Sequence, residues 1–403
     1  MFSLAELTAP IPAAEFLSRY WTKEAVWLRQ PSRTFDAYFD WAALDVLLNT
    51  GDLTFPDTLV SREDGPIAAS EFTRAGSDTL VDPTAMLRLF RDGASFSIRG
   101  ADSYWPGLKP IIAGLYDTFF ETVHTNIYCS PANTVGFRCH YDLHEVLILQ
   151  VEGQKTWRVF HPTTPFPVDA WRLEDSPDTT SAPYLDVTLS KGDVLYVPRG
   201  HWHYAVAKDS LSLHVTVGIS PRKGSAFLDW LTPELLAHPV WRMNAPLMGR
   251  PAADGALPDS PEFTAWTTAL RQSLLDTLSE PKVLERFAAD FYANTRPTLR
   301  VHMRTDGTDG PLPVDALVFG RPDGQRHLFL PADSGVRVKV GGAEIELEDA
   351  DRTLLAPIFG SSSFTLDELA ARTPGTARTE LADVLDALVR AGLLQATPRN
   401  DVG

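Results

Sequence analysis

Residues 137–162 read FRCHYDLHEVLILQVEGQKTWRVFHP, a stretch in which metal-ligating side chains surround one apolar run. The run EVLILQV is rich in Val, Ile and Leu and predicts a buried strand. His140 and Asp142 lie just before it. Residues two apart on a strand point to the same side, so both are expected to face one way and Tyr141 the other. The pair is a candidate for two metal ligands, or for polar residues ahead of a buried strand.

A third ligand is required, because two histidines and one carboxylate make the facial set that suits Fe(II) in oxygenases. The later segment KGDVLYVPRGHWHYAV at 191–206 has a turn, a short apolar strand and a bend at Pro198–Gly200. His201 and His203 follow this bend and are two residues apart, so on a strand they would face the same side. Strand periodicity therefore leaves both as candidates.

Lys155 begins the strand KTWRVF, after a turn at Glu152–Gly153. A lysine in such a strand is normally solvated. Beside a metal, however, an ammonium would pair with the distal carboxylate of a dicarboxylate cosubstrate. The residues alone leave both interpretations of Lys155 open.

The segment around this stretch, residues 101–220, predicts a β-sandwich or small barrel. It contains short runs rich in β-branched and aromatic residues, broken by Gly, Pro, Asp and Ser. These runs are TNIYCS, EVLILQV, KTWRVFHP, YLDVTLS, DVLYVP, HYAVA and LSLHVTVGIS. No alternation of strands with helices appears, which argues against a parallel nucleotide-binding sheet.

The rest of the chain is more helical. Residues 1–100 predict helices with a few strands, and 221–295 predict amphipathic helices. Residues 296–403 predict a small α+β unit in which a capping box at Thr365–Glu368 opens a helix, in the order typical of a winged helix. For its last helix, a packing or dimer role is favoured over DNA binding, because acidic residues surround its arginines.

The composition indicates a globular protein of two or three domains, with 403 residues, 44% hydrophobic and 22% charged. The N-terminal residues lack the pattern of a signal peptide, and no apolar run is long enough to span a membrane. Only two cysteines, Cys129 and Cys139, are present, which fits a reducing cytoplasm. A net charge of −16 disfavours nonspecific nucleic-acid binding; it reflects solubility or a basic macromolecular partner.

Together, these motifs resemble the JmjC-type 2-oxoglutarate oxygenases of the ribosomal-oxygenase (cupin-4) group. The resemblance rests on residues 125–162, on KGDVLYVPRGHWHYAV, on SLSLHVTVG, and on FLSRYWTKEAVWLRQP near the N-terminus. It implies a mainly β catalytic core, a double-stranded β-helix or jelly roll, with helical additions. The implied domains are an N-terminal extension (1–100), the JmjC core (101–220), a helical dimerisation region (221–295) and a winged-helix-like domain (296–403).

The resemblance also implies roles for particular residues. By position, His140, Asp142 and His203 fall on the iron ligands, which favours His203 over His201. The residues that fall on positions contacting 2-oxoglutarate are Lys155, at its distal carboxylate, Tyr128 and Thr216. Asn126 and His214 lie in matching motifs without an assigned role, and His144 and His161 are interpreted as bystanders.

The activity implied is an Fe(II)- and 2-oxoglutarate-dependent hydroxylation of an Arg or His side chain in a basic ribosomal protein, by a cytoplasmic homodimer. Neither a membrane nor a nucleic-acid partner is expected. One alternative keeps the chemistry but acts on a biosynthetic peptide or a free amino acid. Another is a non-catalytic cupin-like binding or regulatory protein, against which the complete ligand set and Lys155 argue.

Overall fold

The computed structural model describes residues 2–50, 53–169, 182–247, 260–293, 312–320, 327–331, 335–340, 343–348, 352–361 and 363–399. The chain divides into two compact units, Met1–Pro221 and Arg222–Gly403. The division into four domains made from the sequence stays a prediction.

The first unit contains six helices and eleven strands among its described residues. The helices are α1 (Leu4–Thr8), α2 (Ala13–Arg19), α3 (Trp41–Thr50), α4 (Pro83–Arg91), α5 (Ala101–Tyr104) and α6 (Lys109–Phe119). The strands that precede α6 are β1 (Val26–Leu28), β2 (Thr58–Arg62), β3 (Gly65–Pro66) and β4 (Ser95–Ile98). Those that follow it are β5 (Thr122–Ser130), β6 (Glu145–Glu152), β7 (Lys155–Phe160), β8 (Leu185–Leu189), β9 (Val194–Val197), β10 (Trp202–Ala207) and β11 (Ser212–Ser220). The strands predicted between residues 101 and 220 are all present.

In the described part of this unit, the strands form two antiparallel sheets. The larger has the order β1-β9-β6-β11-β5-β4-β2-β3, and the smaller has the order β10-β7-β8. Strands β2, β3 and β4, from the N-terminal hundred residues, extend the larger sheet beyond β5. The mainly β core with helical additions, predicted from the sequence, is confirmed.

Strand alternation sends side chains of the larger sheet to two different environments. Leu213, Val215 and Val217 of β11 pack into the core that the N-terminal helices cover. On the other face, Val146 and Ile148 of β6 pack against the smaller sheet. Because both faces are covered, β6 is buried along nearly its whole length, unlike a strand with one solvated face. The space between the two sheets is where the candidate site lies.

The second unit has helices followed by a mixed region. Its elements are α7 (Gly224–Leu236), α8 (Pro261–Ser279), α9 (Val283–Ala293), β12 (Leu317–Gly320), β13 (Leu328–Pro331), β14 (Gly335–Val340), β15 (Ala343–Glu348), α10 (Arg352–Phe359), β16 (Ser363–Thr365), α11 (Leu366–Arg372), α12 (Arg378–Arg390) and β17 (Gln395–Pro398). The strands order as β16-β12-β17 and β13-β14-β15. A further strand predicted at LRVHMR, residues 299–304, lies outside the described residues. None of the described helices has the length and apolar character needed to cross a membrane.

The C-terminal helices follow the local signals of the sequence. The Thr365 hydroxyl accepts a hydrogen bond from the Glu368 backbone N (3.3 Å), and the Glu368 carboxylate accepts one from the Thr365 backbone N (2.8 Å), which confirms the capping box. Helix α12 buries Leu381, Leu385 and Leu388 on one face. It ends before Gly392, which has a positive φ of 72°.

Candidate metal and cosubstrate site

Three side chains with metal-ligating atoms meet between the two sheets of the first unit. One ligand atom each from His140, Asp142 and His203 lies within 4.8 Å of the other two. Nε2 of His203 is 3.5 Å from Oδ2 of Asp142, and the centroids of the two imidazole rings are 4.5 Å apart. The structure thus brings together the three residues that the family resemblance implied as ligands.

The main chain places His140 and Asp142 differently from the expectation. They were expected on one strand, but His140 forms an isolated bridge with His203, and Asp142 lies in the loop that enters β6. The backbone N of His140 donates to the carbonyl of His203 (3.1 Å), and the reverse bond is 2.8 Å. The single bridge still gives the expected alternation of side chains. Tyr141 points away from the cluster and packs against Trp202, with ring centroids 4.7 Å apart.

Both imidazoles are oriented by backbone carbonyl groups. Nδ1 of His140 lies 2.8 Å from the carbonyl oxygen of Arg138, and Nδ1 of His203 lies 3.0 Å from that of His201. A carbonyl oxygen can only accept, so each Nδ1 carries the proton and each Nε2 keeps its lone pair. Hydrogen bonding of one ring nitrogen to a fixed acceptor is the usual way in which a protein aims the other nitrogen at a metal.

The electrostatics of the group favour the protonation states that bind a metal. Burial lowers the pKa of His203 to about 4, which keeps this imidazole neutral. Burial acts to raise the pKa of Asp142, but the imidazoles of His140 and His203, with two further histidines, outweigh it and hold that pKa below its ordinary value. A neutral imidazole and an ionised carboxylate are the forms that ligate metals.

His201, the rival candidate for the third ligand, lies outside the cluster. Its Nδ1 is 2.7 Å from the hydroxyl of Tyr184, and only its backbone carbonyl reaches toward the site. Its ring makes a T-shaped contact with Tyr184. Of the two histidines that periodicity left open, the structure places His203 with His140 and Asp142.

The cluster opens into a cavity between the two sheets. It is lined by Asn126, Tyr128, Gly136, Phe137, His140, Asp142, His144, Val146, Ile148, Lys155, Trp157, His203, Tyr204, Ala205, His214 and Thr216. All six residues that the sequence singled out are among them.

Lys155 is the most unusual of these residues, because it is a buried cation without a counter-ion. Its side chain lies inward and is 3% exposed. Nζ donates a hydrogen bond to Oγ of Ser130 (2.9 Å), which also accepts one from Oγ of Ser95 (2.9 Å). No ion pair joins this ammonium to a carboxylate within the described ranges, and burial lowers its pKa to about 8. A buried charge of this kind is costly unless an anion pairs with it.

Polar groups from the larger sheet face Lys155 across the cavity. The ring of Tyr128 stacks on that of His214, with centroids 4.9 Å apart and an interplanar angle of 3°. Thr216 is the neighbouring inward residue of β11. Nδ1 of His214 is buried and makes no hydrogen bond to any residue that the structure describes. An unsatisfied nitrogen and an unpaired ammonium in one cavity fit a polar, anionic small molecule.

Three residues that line the cavity, and Ser130, which hydrogen-bonds to the lining residue Lys155, were missed or given no role from the sequence. Ser130 and Trp157 were not singled out, His214 had no assigned role, and His144 was interpreted as a bystander although it lines the cavity. Strand alternation was the available signal, because residues two apart on a strand face the same side. Ser130 is two residues from Tyr128, and Trp157 is two residues from Lys155. Alternation along the strands would have found both.

Comparison with known proteins agrees with this geometry. Residues 111–227 match the JmjC domain family. Human ribosomal oxygenase 1 is 31% identical over 239 residues, an alignment that covers 56% of this chain and 36% of that protein. The bifunctional lysine-specific demethylase and histidyl-hydroxylase NO66 of Drosophila grimshawi is 30% identical over 246 residues, covering 59% of this chain and 33% of that protein. The alignments thus span about a third of the length of these relatives.

Among solved structures, E. coli ycfD matches with a TM-score of 0.58 at 20% sequence identity, covering 96% of this chain and 98% of that one. The same E. coli ribosomal oxygenase in complex with cobalt and 2-oxoglutarate matches with a TM-score of 0.57 at 18% identity, with the same coverage. At this identity the likeness establishes the fold, a jelly roll of the JmjC type. Residues 111–227 are therefore similar to JmjC domains, and the resemblance of the chain to the ribosomal oxygenases is confirmed.

Proposed function

We propose that this protein is an Fe(II)- and 2-oxoglutarate-dependent oxygenase that hydroxylates an amino-acid side chain in a protein or peptide. The observation that carries the proposal is the unpaired ammonium of Lys155 in the same cavity as His140, Asp142 and His203. A facial set of two imidazoles and one carboxylate suits Fe(II), and an inward cation suits a dicarboxylate. Neither feature alone is as specific as the two together.

In this proposal the iron would be held by Nε2 of His140, a carboxylate oxygen of Asp142 and Nε2 of His203. When bound, the metal and 2-oxoglutarate supply the oxidative chemistry: decarboxylation to succinate and CO₂, coupled to transfer of one oxygen atom of O₂ to a substrate C–H bond. The protein's part is to hold the ligands in a fixed arrangement and to keep the cavity dry.

Lys155 anchors the distal carboxylate of 2-oxoglutarate, with Ser130 holding its ammonium in place. Tyr128 and Thr216 complete the cosubstrate contacts from the larger sheet. The apolar side chains of Val146, Ile148 and Trp157 line the same space and exclude water from it. Exclusion of water strengthens the pairing of the ammonium with a carboxylate.

For the substrate, we propose an Arg or His side chain of a basic ribosomal protein. The names of the human and Drosophila relatives, ribosomal oxygenase and histidyl-hydroxylase, support this assignment. A net charge of −16 favours encounter with a basic partner. We also propose a cytoplasmic location, which the two free cysteines support.

A homodimer through the helical region is part of the same proposal. Five leucines on its described helices are exposed: Leu228 (62%) and Leu236 (46%) on α7, Leu275 (50%) and Leu278 (39%) on α8, and Leu284 (67%) on α9. Apolar side chains on a helical surface are typical of a protein–protein interface. Sedimentation of the purified protein tests this part independently of activity.

The deciding experiment is conversion of 2-oxoglutarate to succinate with Fe(II), comparing wild type with His140→Ala and Asp142→Ala. A basic ribosomal extract provides the substrate, and mass spectrometry detects a gain of one oxygen atom in proteins of the parent strain that a deletion strain lacks. Turnover only with a biosynthetic peptide or amino acid would favour a tailoring hydroxylase. Iron binding without any succinate would favour a non-catalytic binding protein.

A further inference from the structure

Two phenol groups, one buried and one partly buried, connect the N-terminal part of the first unit to the bend that precedes His203. We call Thr22–Ala25 the N-terminal segment and Pro198–His201 the bend. The hydroxyl of Tyr196 accepts a hydrogen bond from the Thr22 backbone N (2.7 Å), and that of Tyr184 accepts one from the Ala25 backbone N (3.1 Å). Each hydroxyl also bonds to a side chain that holds one end of the bend.

The bend matters because it fixes two of the three ligand residues through the main chain. The Gly200 backbone N donates to the carbonyl of Asp142 (3.0 Å), and the carbonyl of His201 accepts from Nδ1 of His203 (3.0 Å). Gly200 has a φ of 84°, and a Cβ there would lie 2.6 Å from Cδ of Pro167. Only glycine fits this conformation, so the bend has one well-defined shape.

The first connection runs through Tyr196 and Glu145. The Tyr196 hydroxyl donates to the carboxylate of Glu145, and the same carboxylate oxygen accepts from the backbone N of Arg199 in the bend (3.3 Å). Glu145 is 2% exposed, so its carboxylate depends on these donors. Thr22 has a φ of 61°, a conformation rare for a β-branched residue, which the surrounding contacts must hold in place.

The second connection runs through Tyr184 and His201. The Tyr184 hydroxyl lies 2.7 Å from Nδ1 of His201, at the end of the bend nearest His203. The ring of His161 stacks on Tyr184, with centroids 4.3 Å apart. His161 and His201, neither of which joins the metal cluster, thus belong to a second group beside it.

We propose that the N-terminal segment positions the metal centre, and that Tyr196 and Tyr184 are the positioning residues that transmit its position to the bend. The inference rests on the proposed metal site. Neither phenol contacts a ligand side chain; each acts on the main chain that carries Asp142 and His203. Loss of either hydroxyl lets the bend shift, which moves the carbonyl that orients the His203 ring.

The test uses Co(II) as the probe and the full-length protein with Tyr196→Phe or Tyr184→Phe. Tyr104→Phe is the matched control: its hydroxyl also makes two side-chain contacts, to Asp57 (2.9 Å) and Thr54 (3.3 Å), but it has no bond to the bend. The readouts are the Co(II) dissociation constant, the visible absorption of bound Co(II), which reports ligand geometry, and thermal unfolding of the metal-free protein.

We expect either Tyr→Phe variant to weaken Co(II) binding by about 10- to 100-fold, as partners of metal ligands typically do, and to change the absorption bands. Tyr104→Phe should leave both at the wild-type values. Wild-type affinity and spectrum in both variants would overturn the inference and leave the proposed function standing. Absence of Co(II) binding by the wild type would overturn both.

Tyr196 is fully buried, so Tyr196→Phe should lower the stability more than Tyr184→Phe does. Tyr184 is less buried, so its variant decides the question if Tyr196→Phe does not fold. A lower unfolding temperature with an unchanged Co(II) spectrum in Tyr184→Phe would then assign the phenols a purely structural role and contradict the inference.

Discussion

The backbones of His140 and His203 hydrogen-bond to each other in both directions, at 3.1 and 2.8 Å, and this bridge holds the two imidazole rings 4.5 Å apart. The two residues come from segments far apart in the chain. A bridge of two main-chain bonds fixes their separation more rigidly than side-chain contacts would, because it does not depend on rotamers. The metal site is therefore assembled when β10 docks beside the segment before β6.

The assignment of the third ligand gives the first prediction. His203→Ala should weaken Co(II) binding by more than about 100-fold, beyond the range seen for residues that only support ligands. His201→Ala keeps the backbone carbonyl and all three ligands, so the Co(II) affinity of this variant should fall by no more than about 100-fold. Calorimetric titration of each variant measures the difference. Complete loss in the His201 variant alone would reverse the assignment.

The role of Lys155 gives the second prediction. Lys155→Met should weaken 2-oxoglutarate binding by about 10- to 150-fold, the value of a charge-assisted hydrogen bond of roughly 1.5–3 kcal/mol. Co(II) binding should be unchanged, because Lys155 is not one of the clustered ligands. Titration of 2-oxoglutarate into the Co(II)-loaded variant measures this. If Co(II) binding were lost instead, Lys155 would be a part of the metal site.

Burial of Lys155 without a counter-ion also predicts how stability depends on pH. Its pKa falls from 10.5 to about 8 on folding, so between these values the unfolded chain binds more protons than the folded one. Stability should therefore rise with pH over this window, by up to roughly 3 kcal/mol. Below about pH 8 the folded protein bears the full free-energy cost of burying the charged ammonium of Lys155.

Lys155→Met is the control for this pH dependence. At pH 7 the variant without metal or cosubstrate should be more stable than the wild type, and the difference should shrink as the pH approaches 10.5. Urea unfolding at several pH values measures both proteins. A difference that does not vary with pH would mean that Lys155 is paired or solvated.

The close approach of His124 to Gly218 gives a further prediction. A Cβ at Gly218 would lie 2.3 Å from Cε1 and 2.4 Å from Nε2 of His124, so Gly218→Ala should destabilise the protein by about 1–3 kcal/mol. His124→Ala removes the obstacle, and the double variant should be more stable than the sum of the single changes implies. Gly224→Ala, where nothing lies within 4 Å, should be neutral or stabilising. If the destabilisation of the double variant equals the sum of the two single changes, the close contact between residue 218 and His124 is contradicted.

Much of the fold was predictable because the strands of the core carry strong local signals. EVLILQV and DVLYVP are apolar enough to indicate strands covered on both faces, and both are interior strands of the larger sheet. The pairing was not predictable, because β11 joins β5 on one side and β6 on the other, and such non-local partners leave no trace in local periodicity. The same holds for β2 and β4, which extend the sheet from the N-terminal hundred residues.

The candidate site was predictable to the level of residue types and spacing. His140 and Asp142 stand out from their separation, but the choice of His203 over His201 needed the family resemblance. The direction of Lys155 depends on the hydroxyl of Ser130, which comes from a different strand and a different sheet. The groups that orient the imidazoles are main-chain carbonyls, which any residue supplies, so no sequence pattern marks them.

The orientation of the imidazoles by main-chain carbonyls determines which substitutions the site tolerates during evolution. The carbonyls of Arg138 and His201 persist whatever side chains stand at these positions, so substitutions there do not delete the acceptors. At Arg138 the sequence can therefore drift while the His140 ring keeps its aim, whereas His201 is also constrained by the hydrogen bond between its side chain and Tyr184. The vulnerable positions are the three ligands and the few residues that hold the course of the main chain, such as Gly200, whose backbone conformation no other residue adopts without strain.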